Sequence, residues 1–125
     1  MDDQLMIEIN AYLNNVNVPS YFPFDENERR KALYEASLEI LDEYPNLTLS
    51  ARLVVLQAFY NAEGEEEGIA MMHRQGLSDY TVKDVKAVLQ RSILSPFVMR
   101  IIDRINEEEK GSTSGRVARL SLIHI

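Results

Sequence analysis

The sequence contains no cysteine, no tryptophan and only two histidines. Without cysteine the chain cannot form a disulfide, a thiolate nucleophile, an iron–sulfur cluster or a cysteine-based zinc site. A Ser-His-Asp arrangement would have to rely on His73, because His124 lies in a C-terminal stretch of different composition. These absences predict no catalytic residue, no metal and no cofactor, and we expect a protein that is not an enzyme.

Positive charge is also scarce. Thirteen Lys and Arg stand against 20 Asp and Glu, which gives a net charge of −7 and a pI near 4.8. A nucleic-acid-binding domain neutralises phosphates with basic side chains, so this balance argues against dedicated DNA or RNA binding. Glutamates occupy residues 65–67 and 107–109, and on a helix consecutive side chains point about 100° apart. The carboxylates of either run therefore cannot converge on one metal ion.

No apolar run approaches the roughly 18 residues that span a bilayer. The first residues, Met1-Asp2-Asp3-Gln4, are acidic where a signal peptide would be basic, so we expect no export signal and no membrane partner. The apolar share of 46% is that of a globular chain, and the 125 residues suit one domain. We therefore expect a folded protein that is synthesised in the cytoplasm.

Apolar residues recur at helical spacing over most of the chain, which predicts an all-α fold. The expected architecture is a small helical bundle of four to five helices with one short extended segment before the last helices. The first helix is predicted from about residue 3 to 14. Asp25 and Glu28 have capping-box spacing and open a second helix that Pro45 ends.

The third predicted helix runs from about residue 51 to 61 and is apolar on nearly all sides, which indicates a central position. Thr48 or Ser50 can cap its start. The segment 64–68, with glycine at both ends and glutamates between, is expected to interrupt it, and a further turn or two is expected over 69–74.

The segment 77–85 alternates polar and apolar residues, so we predict extended backbone up to about Thr81 and a helix over about 82–92. Thr81 and Asp84 also have capping-box spacing, which leaves an earlier helix start open. Ser95-Pro96 is typical of a helix start and opens the last helix, which is expected to end over 107–110.

The composition changes after Lys110. Gly111-Ser112-Thr113-Ser114-Gly115 is typical of a flexible spacer, and residues 116–125 are apolar and basic. We therefore assign residues 1–110 to the helical domain and residues 111–125 to a tail. The tail is either an extension that docks on a partner or non-native sequence.

The linker over residues 16–24 holds three aromatic residues between two prolines. Tyr21, Phe22 and Phe24 are too apolar to be left in water, so we expect the linker to pack on something. They are candidates for a clamp on the bundle itself or on an adjacent copy of the chain, and both alternatives stay open.

Several segments together resemble the small head–tail connector proteins of tailed bacteriophages, also called adaptor or head-completion proteins. The resemblance covers about residues 1–109 and lies in four stretches: Asp-x-x-Glu-Arg-Arg-x-Ala-Leu from Asp25, Ala-Ser-Leu-Glu-Ile-Leu from Ala36, Gly-Leu-Ser-Asp-Tyr-Thr-Val-Lys-Asp from Gly76, and Leu94-Ser95-Pro96. In that family a compact helical domain assembles as a ring, typically of twelve copies, beneath the portal.

The resemblance implies a homo-oligomeric ring in the virion neck. Its partners would be the portal protein and a neck or tail completion protein, and genome DNA would pass through without sequence-specific binding. An acidic surface suits such a conduit because it repels phosphate. The family also implies an extended segment before the last helix, so Leu77, Tyr80, Thr81 and Val82 are candidates for contact with a neighbouring subunit or the channel. The alternative is that these residues close their own core.

A regulatory binding module is the competing function. Residues 76–86 could form the turn and recognition helix of a helix-turn-helix protein, with Lys83, Lys86 and Arg91 as basic residues. Asp79 and Asp84 lie where phosphate-contacting groups would be needed, which disfavours DNA binding. A small protein adaptor that presents an apolar helix is the other form of this alternative.

Overall fold

The computed structural model describes the backbone of residues 2–74, 76 and 91–121, with side chains except those of residues 72, 73 and 109–121. The fold is all-α, as predicted, with four helices in the described residues. They are α1 (Asp3–Asn15), α2 (Glu26–Glu43), α3 (Ala51–Arg74) and α4 (Pro96–Ser121). The chain divides into a unit of residues 1–95, which holds α1 to α3, and a unit of residues 96–125.

A capping side chain accepts a hydrogen bond from the backbone at the start of each of the first three helices. Asp2 accepts a hydrogen bond from the backbone N–H of Leu5 at 2.7 Å, and Asp25 accepts one from Glu28 at 3.1 Å. Ser50 accepts one from Leu53 at 3.3 Å. Each bond satisfies a backbone donor that the first helical turn leaves without a partner. The capping signals in the sequence therefore fix these boundaries.

The first unit is built around α3, on which both α1 and α2 pack. Apolar residues of α1 and α2 recur every three or four positions and form one buried stripe on each helix. Phe22 of the linker fills the same core. The buried members of this cluster are Leu5, Ile9, Leu13, Phe22, Leu33, Ala36, Val54, Val55 and Ala58.

The predicted interruption of α3 at residues 64–68 is wrong, because the helix continues through both glycines to Arg74. Each glycine costs a helix about 1 kcal/mol relative to alanine. At Gly64 the absence of a side chain has a structural use, since the guanidinium group of Arg91 passes there. A Cβ atom on Gly64 would lie 2.9 Å from Arg91 Nη1.

The second unit contains α4, which begins at Pro96 as predicted. The helix does not end over 107–110 but continues to Ser121, so the predicted spacer at 111–115 is helical backbone in the structure. The apolar spacing in this helix predicts a buried stripe made of Phe97, Val98, Ile101, Ile102 and Ile105. Val98 and Ile102 are buried, whereas Phe97 is 52% exposed. Phe97 therefore does not belong to the buried stripe of this helix.

Candidate functional site

The linker between α1 and α2 is anchored by Phe22. The backbone N–H of Phe22 donates to Pro19 O at 3.1 Å, and its ring meets the Phe59 ring edge-to-face at a centroid distance of 4.9 Å. Arg29 covers the other side, with its guanidinium carbon 5.4 Å from the Phe22 centroid and Nε donating to Pro23 O at 2.9 Å. Phe22 therefore packs on the helical bundle of its own chain, which is one of the two alternatives that the sequence left open.

Phe24 has the opposite environment. It is 87% exposed although it lies only two residues after Phe22. Tyr21 is half-buried, and its hydroxyl donates to Glu63 Oε2 at 3.5 Å. Other large apolar side chains also remain accessible in the described residues. These are Ile7, Tyr34, Leu38, Ile93 and Phe97.

A buried glutamine holds the segment before α4 against α3. Gln57 is fully buried, and its Nε2 donates to Ile93 O at 2.9 Å. Its Oε1 accepts from the backbone N–H of Ser95 at 2.8 Å. Nε2 also lies 3.1 Å from Asn61 Oδ1 and 3.4 Å from Glu39 Oε1. The amide of Gln57 therefore donates to the carbonyl of Ile93 and accepts from the N–H of Ser95, and these two bonds fix the segment on α3.

Arg91 and Tyr60 secure the start of the same segment. The Arg91 guanidinium carbon lies 4.0 Å from the centroid of the Tyr60 ring, and its nitrogens approach Glu63 at 3.4 Å and Glu67 at 3.7 Å. The Tyr60 hydroxyl donates to Ser92 O at 2.9 Å. These contacts place residues 91–95 along α3 before α4 begins.

A groove of about 420 Å³ lies between α2, α3 and the linker. We call it the acidic groove because four glutamates line it above a largely apolar floor. Its lining is Tyr21, Pro23, Ala32, Glu35, Glu39, Ala58, Asn61, Ala62, Glu65, Glu66 and Ile69. Glu39 accepts hydrogen bonds from Gln57 and Asn61. Glu35, Glu65 and Glu66 form no ion pair within the described part of the chain.

The electrostatics of the acidic groove favour protonated groups. Partial desolvation raises the pKa of Glu65, and the neighbouring Glu35 carboxylate raises it further. Desolvation also raises the pKa of the Tyr21 hydroxyl, with a second contribution from the negative charge of Glu63. In both groups desolvation is the first cause and a neighbouring negative charge the second, and each of these disfavours the charged form.

A second groove lies on the other side of α2, between α2 and α1. Two adjoining cavities of about 300 and 210 Å³ form it and share Met6 and Arg30. We call it the basic groove, because three cations line it against the single carboxylate of Glu26. Its lining is Met6, Asn10, Glu26, Asn27, Arg29, Arg30, Lys31, Leu33 and Tyr34.

The remaining sequence-predicted site residues, Leu77, Tyr80, Thr81 and Val82, lie outside the described residues, as do Lys83 and Lys86. In the part of the chain that the structure describes, no three acidic or histidine side chains converge as metal ligands. No helix there is both long enough and apolar enough to cross a bilayer. Sequence reasoning considered Arg91 only as a basic residue of a recognition helix, whereas the structure places it against α3. It missed Gln57 and the two grooves, because each depends on residues that only folding brings together.

Comparison with models of known protein families, with curated proteins and with solved structures found no match to this chain. On the geometry described above, the candidate site consists of the two oppositely charged grooves and the exposed apolar side chains, chiefly Phe24. This combination suits a surface that binds another protein, because exposed aromatic groups and complementary charge are features of such interfaces.

Proposed function

We propose that this protein is a structural head–tail connector subunit of a tailed bacteriophage or prophage. Copies of it form a ring, of about twelve subunits as in the family it resembles, beneath the portal protein. The ring joins the capsid to a neck or tail completion protein and contributes to the channel through which genome DNA passes. The protein then resides in the virion neck after its synthesis in the host cytoplasm.

The observation that carries this proposal is the exposure of Phe24. A phenylalanine that is 87% exposed in the single chain gains the free energy of leaving water only when another molecule covers it. Full burial of such a side chain contributes about 1.5–3 kcal/mol. Phe22 anchors the neighbouring linker in the core, so a partner meets Phe24 on a backbone that is already placed against the bundle.

The charge of the chain is compatible with the same function. With 20 acidic against 13 basic residues, a ring of copies would carry many negative charges. A channel wall of that sign repels phosphates and lets DNA move without adhering. In this proposal the side chains act by packing and by electrostatics, with no reaction catalysed.

The proposal is tested by deleting the gene from the phage or prophage genome that carries it and examining the particles by electron microscopy. We expect heads without tails and free tails, and we expect a plasmid copy of the gene to restore tailed particles. A plasmid copy that carries Phe24→Ser should restore far fewer tailed particles than a copy that carries Asn46→Ser. Asn46 is an exposed polar loop residue, so the second variant serves as the control. Normal tailed particles in the deletion strain would overturn the proposal.

A further inference from the structure

The acidic and basic grooves lie on opposite flanks of one helix. Arg30 and Glu39 are nine positions apart in α2, so at about 100° per residue they are about 180° apart around the axis. On the same basis Arg30 and Glu35 are separated by about 140°, whereas Lys31 is about 40° from Glu35 and therefore lies at the outer edge of the basic groove. One copy can therefore present both grooves to two different neighbours at the same time.

Each groove combines charge with apolar surface. In the basic groove the outward-facing Arg30 and Lys31 stand beside Tyr34, which is 48% exposed. Arg30 Nη2 donates to Asn27 Oδ1 at 3.2 Å, and Lys31 Nζ lies 3.6 Å from Glu28 Oε1, and both of these contacts are exposed to solvent. In the acidic groove Glu65 and Glu66 stand above a floor that includes Ala62. The small floor residues leave room for a side chain from outside. Glu65 and Glu66 form no ion pair with any residue that the structure describes, and they are placed to receive a cation.

From this arrangement we infer that the basic groove of one copy docks on the acidic groove of the next, head to tail. Arg30 and Lys31 then face Glu65 and Glu66 of the neighbour, and Tyr34 covers the apolar floor. A symmetric contact of either groove with itself would bring like charges together and is disfavoured. A head-to-tail contact repeats from copy to copy and closes into a ring when its rotation allows.

This inference rests on the proposed function, since it specifies the contact by which the ring is built. It commits to a second copy of this chain as the occupant of both grooves. A different basic protein in the acidic groove, or a different acidic protein in the basic groove, would be a result against it.

Disulfide trapping tests the contact even when copies associate only briefly. The natural chain has no cysteine, so Asn27→Cys in the basic groove and Ile69→Cys in the acidic groove each introduce one thiol. After the two variants are mixed under mild oxidation, we expect the mixed disulfide to form about tenfold faster than either same-variant disulfide. Asn14→Cys, on an exposed position of α1, serves as the control thiol with each partner.

Charge reversal makes the test specific. Arg30→Glu with Lys31→Glu in the Asn27→Cys chain should slow trapping about tenfold or more, and so should Glu65→Lys with Glu66→Lys in the Ile69→Cys chain. A tenfold change corresponds to about 1.4 kcal/mol. Mixing the two reversed chains should restore the original rate, because opposite charges face each other again. Added salt should slow trapping of the unreversed pair.

Circular dichroism of each reversed chain checks that its helices and its thermal transition are retained. Trapping no faster than with Asn14→Cys, or no recovery when the two reversed chains are mixed, would overturn the inference. The proposed function is tested separately, by electron microscopy of the particles that the deletion strain produces. Tailless heads together with no trapping would leave the connector function standing and show that another surface forms the ring.

Discussion

At the scale of single residues, Glu65 is the group whose charge state the fold alters in a testable way. Its pKa is raised above 4.5, first by desolvation and then by Glu35. An acid with a raised pKa in the folded state destabilises the fold when it is charged. That cost is fully present above the folded-state pKa and disappears as pH falls through that value towards and below 4.5.

We therefore expect Glu65→Gln to raise the free energy of unfolding at neutral pH. The gain over the natural chain should shrink as pH falls through the folded-state pKa of Glu65 and vanish below 4.5. Urea unfolding at a series of pH values measures it. Glu107→Gln removes the same charge from the exposed surface of α4 and controls for net charge. A gain from Glu65→Gln that grows on acidification contradicts the sign argued here.

At the scale of secondary-structure elements, the sequence predicts a helix well where its signals are local. Asp25 with Glu28 marks the start of α2, and Pro45 follows its end at Glu43. These boundaries depend on residues within one turn of one another, so they can be found without knowledge of the fold. The aromatic linker was predictable as a packing segment for the same reason.

The continuity of α3 and the site around it were not predictable in this way. Glycine lowers helix propensity wherever it stands, and residues 64–68 are also crowded with negative charge. Arg91 pairs with Glu63 and Glu67 from outside the helix and so reduces the repulsion between the glutamates. A contact between residues 28 positions apart leaves no periodic signal, and the same is true of the two grooves.

Gly64 and Arg91 can be tested as a coupled pair. In the Arg91→Ala chain, we expect Gly64→Ala to stabilise the protein by about 1 kcal/mol through helix propensity. With Arg91 present, the new Cβ would displace the guanidinium group from Tyr60, so the gain should be smaller by about 0.5 kcal/mol or more. Urea unfolding of the four chains gives this coupling energy.

The matched control for that cycle replaces Arg91→Ala by Arg52→Ala, an exposed arginine at the start of α3. Gly64→Ala should have the same effect with and without Arg52. If the effects of Gly64→Ala and Arg91→Ala are additive within about 0.3 kcal/mol, the close approach does not determine the cost of a side chain at position 64.

At the scale of the whole molecule, we expect Phe22 to contribute to the stability of the fold and Phe24 to contribute to association with a partner. Phe22 is 1% exposed and Phe24 is 87% exposed, although both come from one short linker. The sequence marked both as candidates for an interface and could not separate them, since their spacing is compatible with either environment. The fold separates them because the backbone turn that places Phe22 against Phe59 directs Phe24 outward.

We expect Phe22→Ala to lower the free energy of unfolding by about 3–5 kcal/mol, as is usual when a buried aromatic side chain is truncated. Phe24→Ala should change it by no more than about 0.5 kcal/mol in dilute solution. Association stabilises the folded state by mass action, so the thermal midpoint of the natural chain should rise with protein concentration. In Phe24→Ala that rise should be reduced, while the midpoint at low concentration stays the same.

Differential scanning calorimetry over a wide range of protein concentration measures both quantities on the same samples. Asn46→Ala is the control for an exposed side chain that is not apolar, and its midpoint should rise with concentration as the natural chain's does. An equal rise in Phe24→Ala would show that Phe24 lies outside the contact between copies. Phe24 is not buried in its own bundle, and the connector proposal requires a partner that buries it. In that case the partner that buries Phe24 would be the portal protein or the neck protein.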